Sequence, residues 1–178
     1  ARLEYVLKGD GVEHYRPVFT FQGFRYARVT ITGKAELLSI ESVPITSALK
    51  PSGDFTCGSP LVNRLVENTV WSQRGNFIEI PTDCPQRDER QGWMGDRSAE
   101  CRGETYLFLN RCLYSKWITD MADAEKPDGS VPDVCPPYWP LYSDNVTWPS
   151  TFIIAPDAMM DQFGDTQTLA AHYPKMVK

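Results

Sequence analysis

The sequence predicts a chain in two parts: the last strands of an antiparallel β-sandwich, then the opening helices of an incomplete α/α toroid, so that the whole is mainly α. Three observations carry this reading. Apolar and aromatic residues alternate with period two within residues 18–45. From Pro60 onward they recur three and four apart, with no further strand signal. Long and short connections join the helical stretches, the plan of hairpins whose long loops gather at one end.

Each element has a local cause. In "FRYARVTI", Phe24, Tyr26, Arg28 and Thr30 alternate with Arg25, Ala27, Val29 and Ile31, giving a strand with two distinct faces. Gly23 marks a turn or bulge before it. A second strand, "AELLSIESVPI" over 35–45, follows the turn at Thr32-Gly33-Lys34. These strands assign residues 1–46 to the end of a sandwich, and Pro51 and Gly53 mark 47–55 as a linker. Residues 56–178 are then the N-terminal part of the helical domain.

Ser59 and Pro60 open its first helix, as N-cap and first helical residue. Leu61, Leu65 and Thr69 beside Val62, Val66 and Val70 carry it to about Arg74-Gly75. An extended loop from Pro81 leads to a helix starting near Gly95-Asp96, with Asp96 as its N-cap. Two helices broken near Asn110-Arg111 come next, with Tyr106, Leu107 and Leu109, then Leu113, Trp117, Ile118 and Met121, at helical spacing. Residues 127–149 hold six prolines and four aromatics, too long and too aromatic for an idle connection. A further helix must start, kink or divide at Pro156, and "TQTLAAHYPKMVK" begins the last.

Composition narrows the function. With 42% hydrophobic and 12% aromatic residues among 178, the chain can bury a core. Its 18 basic and 23 acidic residues form no basic stripe, so neither nucleic acid nor a membrane surface is an expected partner. No apolar run approaches the roughly 20 residues of a membrane span. The start, "ARLEYVLKGD", has no initiating Met and no signal-peptide centre, and "HYPKMVK" stops within a helical pattern. The chain thus reads as an internal piece of a larger protein, with cytoplasmic and exported locations both open.

Cys57, Cys84, Cys101, Cys112 and Cys135 are odd in number and show no CxxC spacing. With His14 and His172 far apart as well, no zinc site is expected, and the cysteines read as free thiols.

The chemistry concentrates in "PTDCPQRDERQGWMGD", residues 81–96. Asp83, Asp88, Glu89 and Asp96 lie there with Arg87, Arg90 and Trp93, and Arg97 follows. Arginine keeps a carboxylate ionised, whereas an apolar neighbour such as Trp93 raises the pKa of another. Such a contrast is what a general acid needs, and Trp93 can also stack on the C–H face of a sugar, so the set points to glycoside hydrolysis. A solvated helix-entry loop is the competing reading. A calcium loop around Asp83 and Asp88 is a third, without the glycine spacing of an EF-hand.

At this stretch the sequence resembles the inverting bacterial and fungal α-L-rhamnosidases, glycoside hydrolases with an (α/α)6 catalytic barrel. The resemblance extends through "NRLVENTVWSQRGNF" before it and "DAEKPDGSVPDV" and "NVTWPSTFIIAP" after it. "FQGFRYARVT" is similar to the sandwich segment preceding that barrel. The resemblance implies Glu89 as general acid, preferred over Asp88 because the family motif sets the acid just before the second arginine, here Arg90. It also implies Asp83 and Arg87 as rhamnose-binding residues, with Trp93, Asp96 and Trp148 as further sugar contacts. Trp148 has a plain alternative as a core tryptophan ahead of a helix. Gln91 and Met94 stand where Leu and Thr are frequent, which removes no functional group.

Implied substrates are rhamnose-containing glycosides or polysaccharides, with no organic cofactor and no metal. Inversion needs a second carboxylate roughly 6.5–9.5 Å from the acid. In the family this base is a glutamate far downstream, and no acid of this chain matches it. A non-catalytic rhamnose-binding remnant is therefore the alternative, and a plain helical interaction module is the more distant one.

Overall fold

The computed structural model describes residues 1–178, with five helices following an extended N-terminal segment. They are α1 (Pro60–Asn76), α2 (Met94–Thr105), α3 (Arg111–Ala124), α4 (Thr151–Phe163) and α5 (Thr166–Met176). Between α1 and α2, β1 (Phe77–Ile78) and β2 (Ile80–Pro81) pair antiparallel, Phe77 opposite Pro81 and Ile78 opposite Ile80. Glu79 turns this short hairpin at φ 64°.

The helix signals translate into caps. Ser59 accepts a hydrogen bond from Val62 N at 3.4 Å, with Pro60 in the first turn of α1. Asp165 accepts from Thr168 N at 3.1 Å to open α5, and Gly164 closes α4 in the left-handed conformation. One expected cap is corrected: the N-cap of α2 falls three residues early, at Trp93, and Asp96 lies inside its first turn. The cause is tertiary, because Met94 N donates to Asp133 O at 2.9 Å and needs no side-chain cap. Pro156 neither starts nor divides α4, which runs through it.

The main core is built where α4 packs against α2, α3 and α5. Met94 and Cys101 of α2, Trp117 and Met121 of α3, and Phe152 and Met159 of α4 meet there, all buried. Ala155 and Ala158 keep α4 narrow enough for this close packing. A smaller cluster of Phe77, Phe108 and Leu113 lies under the β1–β2 hairpin. By contrast α1 buries none of its residues, and Leu61 and Leu65 remain exposed.

The strands expected within residues 1–46 are not present: that segment is extended without ladder pairing. A strand needs a neighbour to receive its N–H and C=O groups, and no backbone hydrogen bond joins two residues of this segment. Both faces of the alternating stretch are consequently open, with Tyr26 exposed on one and Val29 and Ile31 exposed on the other. The segment touches the helical part at few points, among them Gly23 N to Pro85 O at 2.8 Å. A Cβ on Gly23 would stand 2.7 Å from that same oxygen, so the glycine marks close backbone approach and not a bulge.

Candidate active site

The acidic stretch runs between β2 and α2 as a closed loop. Asp83 N donates to Gln91 O at 2.9 Å, and Gln91 N returns a bond to Asp83 Oδ1 at 2.8 Å. Arg90 adopts a left-handed backbone conformation, with φ 54°. Its guanidinium reaches out to Phe21 O at 3.0 Å and lies over the Phe21 ring. Two adjacent acids are separated as a result. Asp88 is fully exposed and pairs only with Arg90 at 3.3 Å, whereas the side chain of Glu89 is mostly covered.

Arg87 joins the two covered carboxylates. Its Nε donates to Glu89 Oε2 at 2.6 Å and its outer nitrogen to Asp83 Oδ2 at 3.1 Å. The other oxygen of Glu89 accepts from the Trp93 indole N–H at 2.8 Å. Arg87 foremost, with the Trp93 bond assisting, holds the Glu89 carboxyl below its usual range despite partial desolvation. Asp96 moves the other way. Burial raises its pKa, and Asp83, Glu100 and Glu89 add to the rise against the opposing charge of Arg97. The structure thus brings Asp83, Arg87, Glu89 and Trp93 into one bonded cluster, and sets Asp96 one helical turn beyond it.

The Cys84 thiol completes a set of three metal-ligand types with Asp83 and Glu89, their donor atoms within 4.8 Å of one another. Both carboxylates are already engaged by Arg87, so a cation there would have to displace the guanidinium. Burial pushes Cys84 upward, Cys101 to about 11 and Cys135 to about 12, so these thiols stay protonated. All five cysteines are free.

The Pro-rich segment 127–149 packs beside this cluster, closely at Gly92 and Gly95. Cys135 N donates to Gly92 O at 2.8 Å, and a Cβ on Gly92 would lie 2.1 Å from Cys135 O. Only glycine fits there. Farther along, the Trp148 ring covers Gly95, where an added Cβ would lie 2.5 Å from the indole. Trp148 is half-buried against the main core, and its indole N–H is buried without a partner. Trp148 thus packs on the main core and on the first turn of α2.

Behind the loop lies a polar network that sequence reasoning did not anticipate. Arg97 donates to Thr82 O at 2.6 Å, to Glu100 at 2.9 Å and to fully buried Glu104. Glu104 in turn accepts from the buried Tyr114 hydroxyl. The carbonyl just before Asp83 is thereby tied to α2 and α3. Arg97 and Glu104 are seven residues apart, near two helical turns, which is the signal that pairs them on one face.

Residues 50–178 match the family model described as bacterial alpha-L-rhamnosidase 6 hairpin glycosidase domain. This chain belongs to that α-L-rhamnosidase family. Residues 1–47 match the bacterial alpha-L-rhamnosidase concanavalin-like domain. An alpha-L-rhamnosidase of Streptomyces avermitilis is 37% identical over 173 residues, 97% of this chain and 17% of that protein. One from Formosa agariphila is 34% identical over 182 residues, 98% of this chain and 19% of its own length.

Among solved structures, the α-L-rhamnosidase from Dictyoglumus thermophilum aligns with TM-score 0.71 and 38% identity over 73% of this chain and 15% of that one. The Streptomyces avermitilis α-L-rhamnosidase complexed with L-rhamnose aligns with TM-score 0.71 and 34% identity, covering 73% and 13%. The chain spans about a fifth of the length of the curated rhamnosidases it matches. The rhamnosidase fold it shares is the mainly helical six-hairpin domain.

Proposed function

We propose that the whole protein carrying this segment hydrolyses terminal non-reducing α-L-rhamnosides by single displacement with inversion, with Glu89 as general acid. The observation that carries this is the cluster itself: Glu89 is linked through Arg87 to Asp83 and bonded to Trp93. Asp83 and Arg87 bind rhamnose hydroxyls, and Trp93, Asp96 and Trp148 line the ring. The water-activating carboxylate comes from a segment C-terminal to Lys178, in a later hairpin of an (α/α)6 barrel. Residues 1–46 then serve as the end of a β-sandwich, 47–55 as linker and 56–178 as the opening of that barrel.

Arg87 sets a condition on this reading. While it holds Glu89, that carboxylate is ionised at neutral pH and cannot donate a proton. A bound rhamnoside must draw the guanidinium onto its hydroxyls and onto Asp83, leaving Glu89 free to take up a proton. Exclusion of water by the sugar then favours the neutral acid. The ionised resting state also favours a second reading, a rhamnose-binding protein without turnover.

A panel of 4-nitrophenyl glycosides separates the two. The whole protein is expected to release nitrophenol from the α-L-rhamnoside and to be inactive on the β-D-glucoside and α-L-arabinoside. Saturable rhamnose binding with no release from any substrate supports the binding protein instead.

A further inference from the structure

Besides Trp148 of the rhamnose-binding set, and Tyr142, whose hydroxyl donates to Ala124 O at 2.9 Å, the segment 127–149 carries two further aromatics. Trp139 packs edge-on against Trp93, ring centroids 6.1 Å apart at 62°, and Tyr138 follows at 6.4 Å and 53°. Exposure grows along this run: Trp93 is half-buried, Trp139 is 37% exposed and Tyr138 77%. The run starts at the indole bonded to Glu89 and ends in solvent. Neither Trp139 nor Tyr138 belongs to a core cluster.

These rings are held in place. Cys135 is bonded to Gly92, and Asp133 N donates to Leu141 O at 2.8 Å, which closes the loop around them. Tight turns lie inside it, Tyr138 N to Pro136 O at 2.8 Å and Leu141 N to Trp139 O at 2.7 Å. Pro136, Pro137 and Pro140 restrict the backbone further. A pinned loop that keeps two aromatics in water has already given up the entropy of ordering them, so a ligand meets little further cost.

This inference rests on Glu89 being the acid. A general acid touches the scissile oxygen, so the group attached to that oxygen leaves beside Glu89, toward solvent. We propose that Trp139 and Tyr138 form the leaving-group subsite, which takes a ring with an apolar face bonded to the scissile oxygen. An aryl ring and the C–H face of a pyranose share that chemistry, and indole and phenol rings stack on both.

The test uses the whole protein with Trp139→Ala and Trp139→Phe. Substrates are phenyl α-L-rhamnoside, a rhamnosyl-glucose disaccharide and methyl α-L-rhamnoside, with free rhamnose as competitive inhibitor. For Trp139→Ala, kcat/KM on the ring-bearing substrates should fall roughly tenfold, with under about twofold change for the methyl glycoside and for rhamnose inhibition. Trp139→Phe should restore most of the loss. A loss confined to the phenyl substrate assigns the subsite to aryl groups, and a loss on both assigns it to either ring.

Equal losses on all three substrates, or weaker inhibition by rhamnose, would overturn the proposal, as would no change on any. If Trp139→Ala does not fold, Trp139→Leu retains bulk against Trp93 and is read in its place. Absence of turnover in the unmodified protein refutes the hydrolase reading alone. Titration then decides the subsite: phenyl rhamnoside must bind more tightly than rhamnose, with that advantage lost in Trp139→Ala.

Discussion

Glu89→Gln in the whole protein is expected to lower kcat on alkyl and glycosyl rhamnosides by about 10²–10⁴-fold while leaving binding nearly unchanged. Glutamine keeps an oxygen for the Trp93 indole, now 2.8 Å from Glu89, so the loop retains its shape. What disappears is the proton that the leaving oxygen must receive. Nitrophenyl rhamnosides should suffer much less, because nitrophenolate departs without protonation. A companion variant, Arg87→Gln, adds a pH signature. Activity requires protonated Glu89 and is lost as pH rises through its pKa, which Arg87 now holds down. Removing the guanidinium lifts that pKa, so the alkaline limb of kcat/KM moves to higher pH. Equal and mild losses on both substrate types, with an unmoved limb, would remove Glu89 from the acid role.

Glu104→Ala is expected to cost about 3–5 kcal/mol of stability, the range for breaking a buried ion pair from one side. Glu104 is fully buried, and both its oxygens are engaged, one by Arg97 and the other by the Tyr114 hydroxyl. Alanine would strand a guanidinium that is 4% exposed and whose Nε already lacks a partner. Glu100 remains bonded to it but lies at the exposed edge, where screening limits its compensation. The loosened Arg97 would also release Thr82 O, the carbonyl preceding Asp83. Urea denaturation of the variant against the unmodified protein measures the loss, and a value under about 1 kcal/mol would show the network to be dispensable.

Much of the helical part was legible in the sequence because its signals are local. Ser59-Pro60 needs only its own side chain and ring to start α1, and the spacing of Trp117, Ile118 and Met121 is the buried face of α3. Asp96 was misplaced as a cap because the true partner of Met94 N is a carbonyl at Asp133, far along the chain. The expected strands failed for a related reason. Alternation at Phe24–Ile31 describes a surface able to pair, and pairing depends on a neighbour that no local pattern supplies.

The candidate site divides in the same way. The six residues named from sequence lie close together in the chain, apart from Trp148, and Asp83, Arg87, Glu89 and Trp93 do meet as one cluster. Their charge states were not legible. The segment promised a raised acid beside lowered ones, and the carboxyl that burial raises is Asp96, whereas Glu89 is held low by Arg87. Which carboxylate faces the guanidinium depends on the turn at Arg90, a φ of 54° that composition does not announce. Trp139 was visible only as one aromatic among four in a proline-rich loop, until its packing on Trp93 singled it out.

The most direct test of single-displacement rhamnoside hydrolysis at this site is the anomer first released by the whole protein. Proton NMR during rapid hydrolysis of 4-nitrophenyl α-L-rhamnoside should show β-L-rhamnose appearing first, with α-L-rhamnose growing only as mutarotation proceeds. Early accumulation of α-L-rhamnose would contradict the account, because retention would place a nucleophilic carboxylate where a water molecule is required.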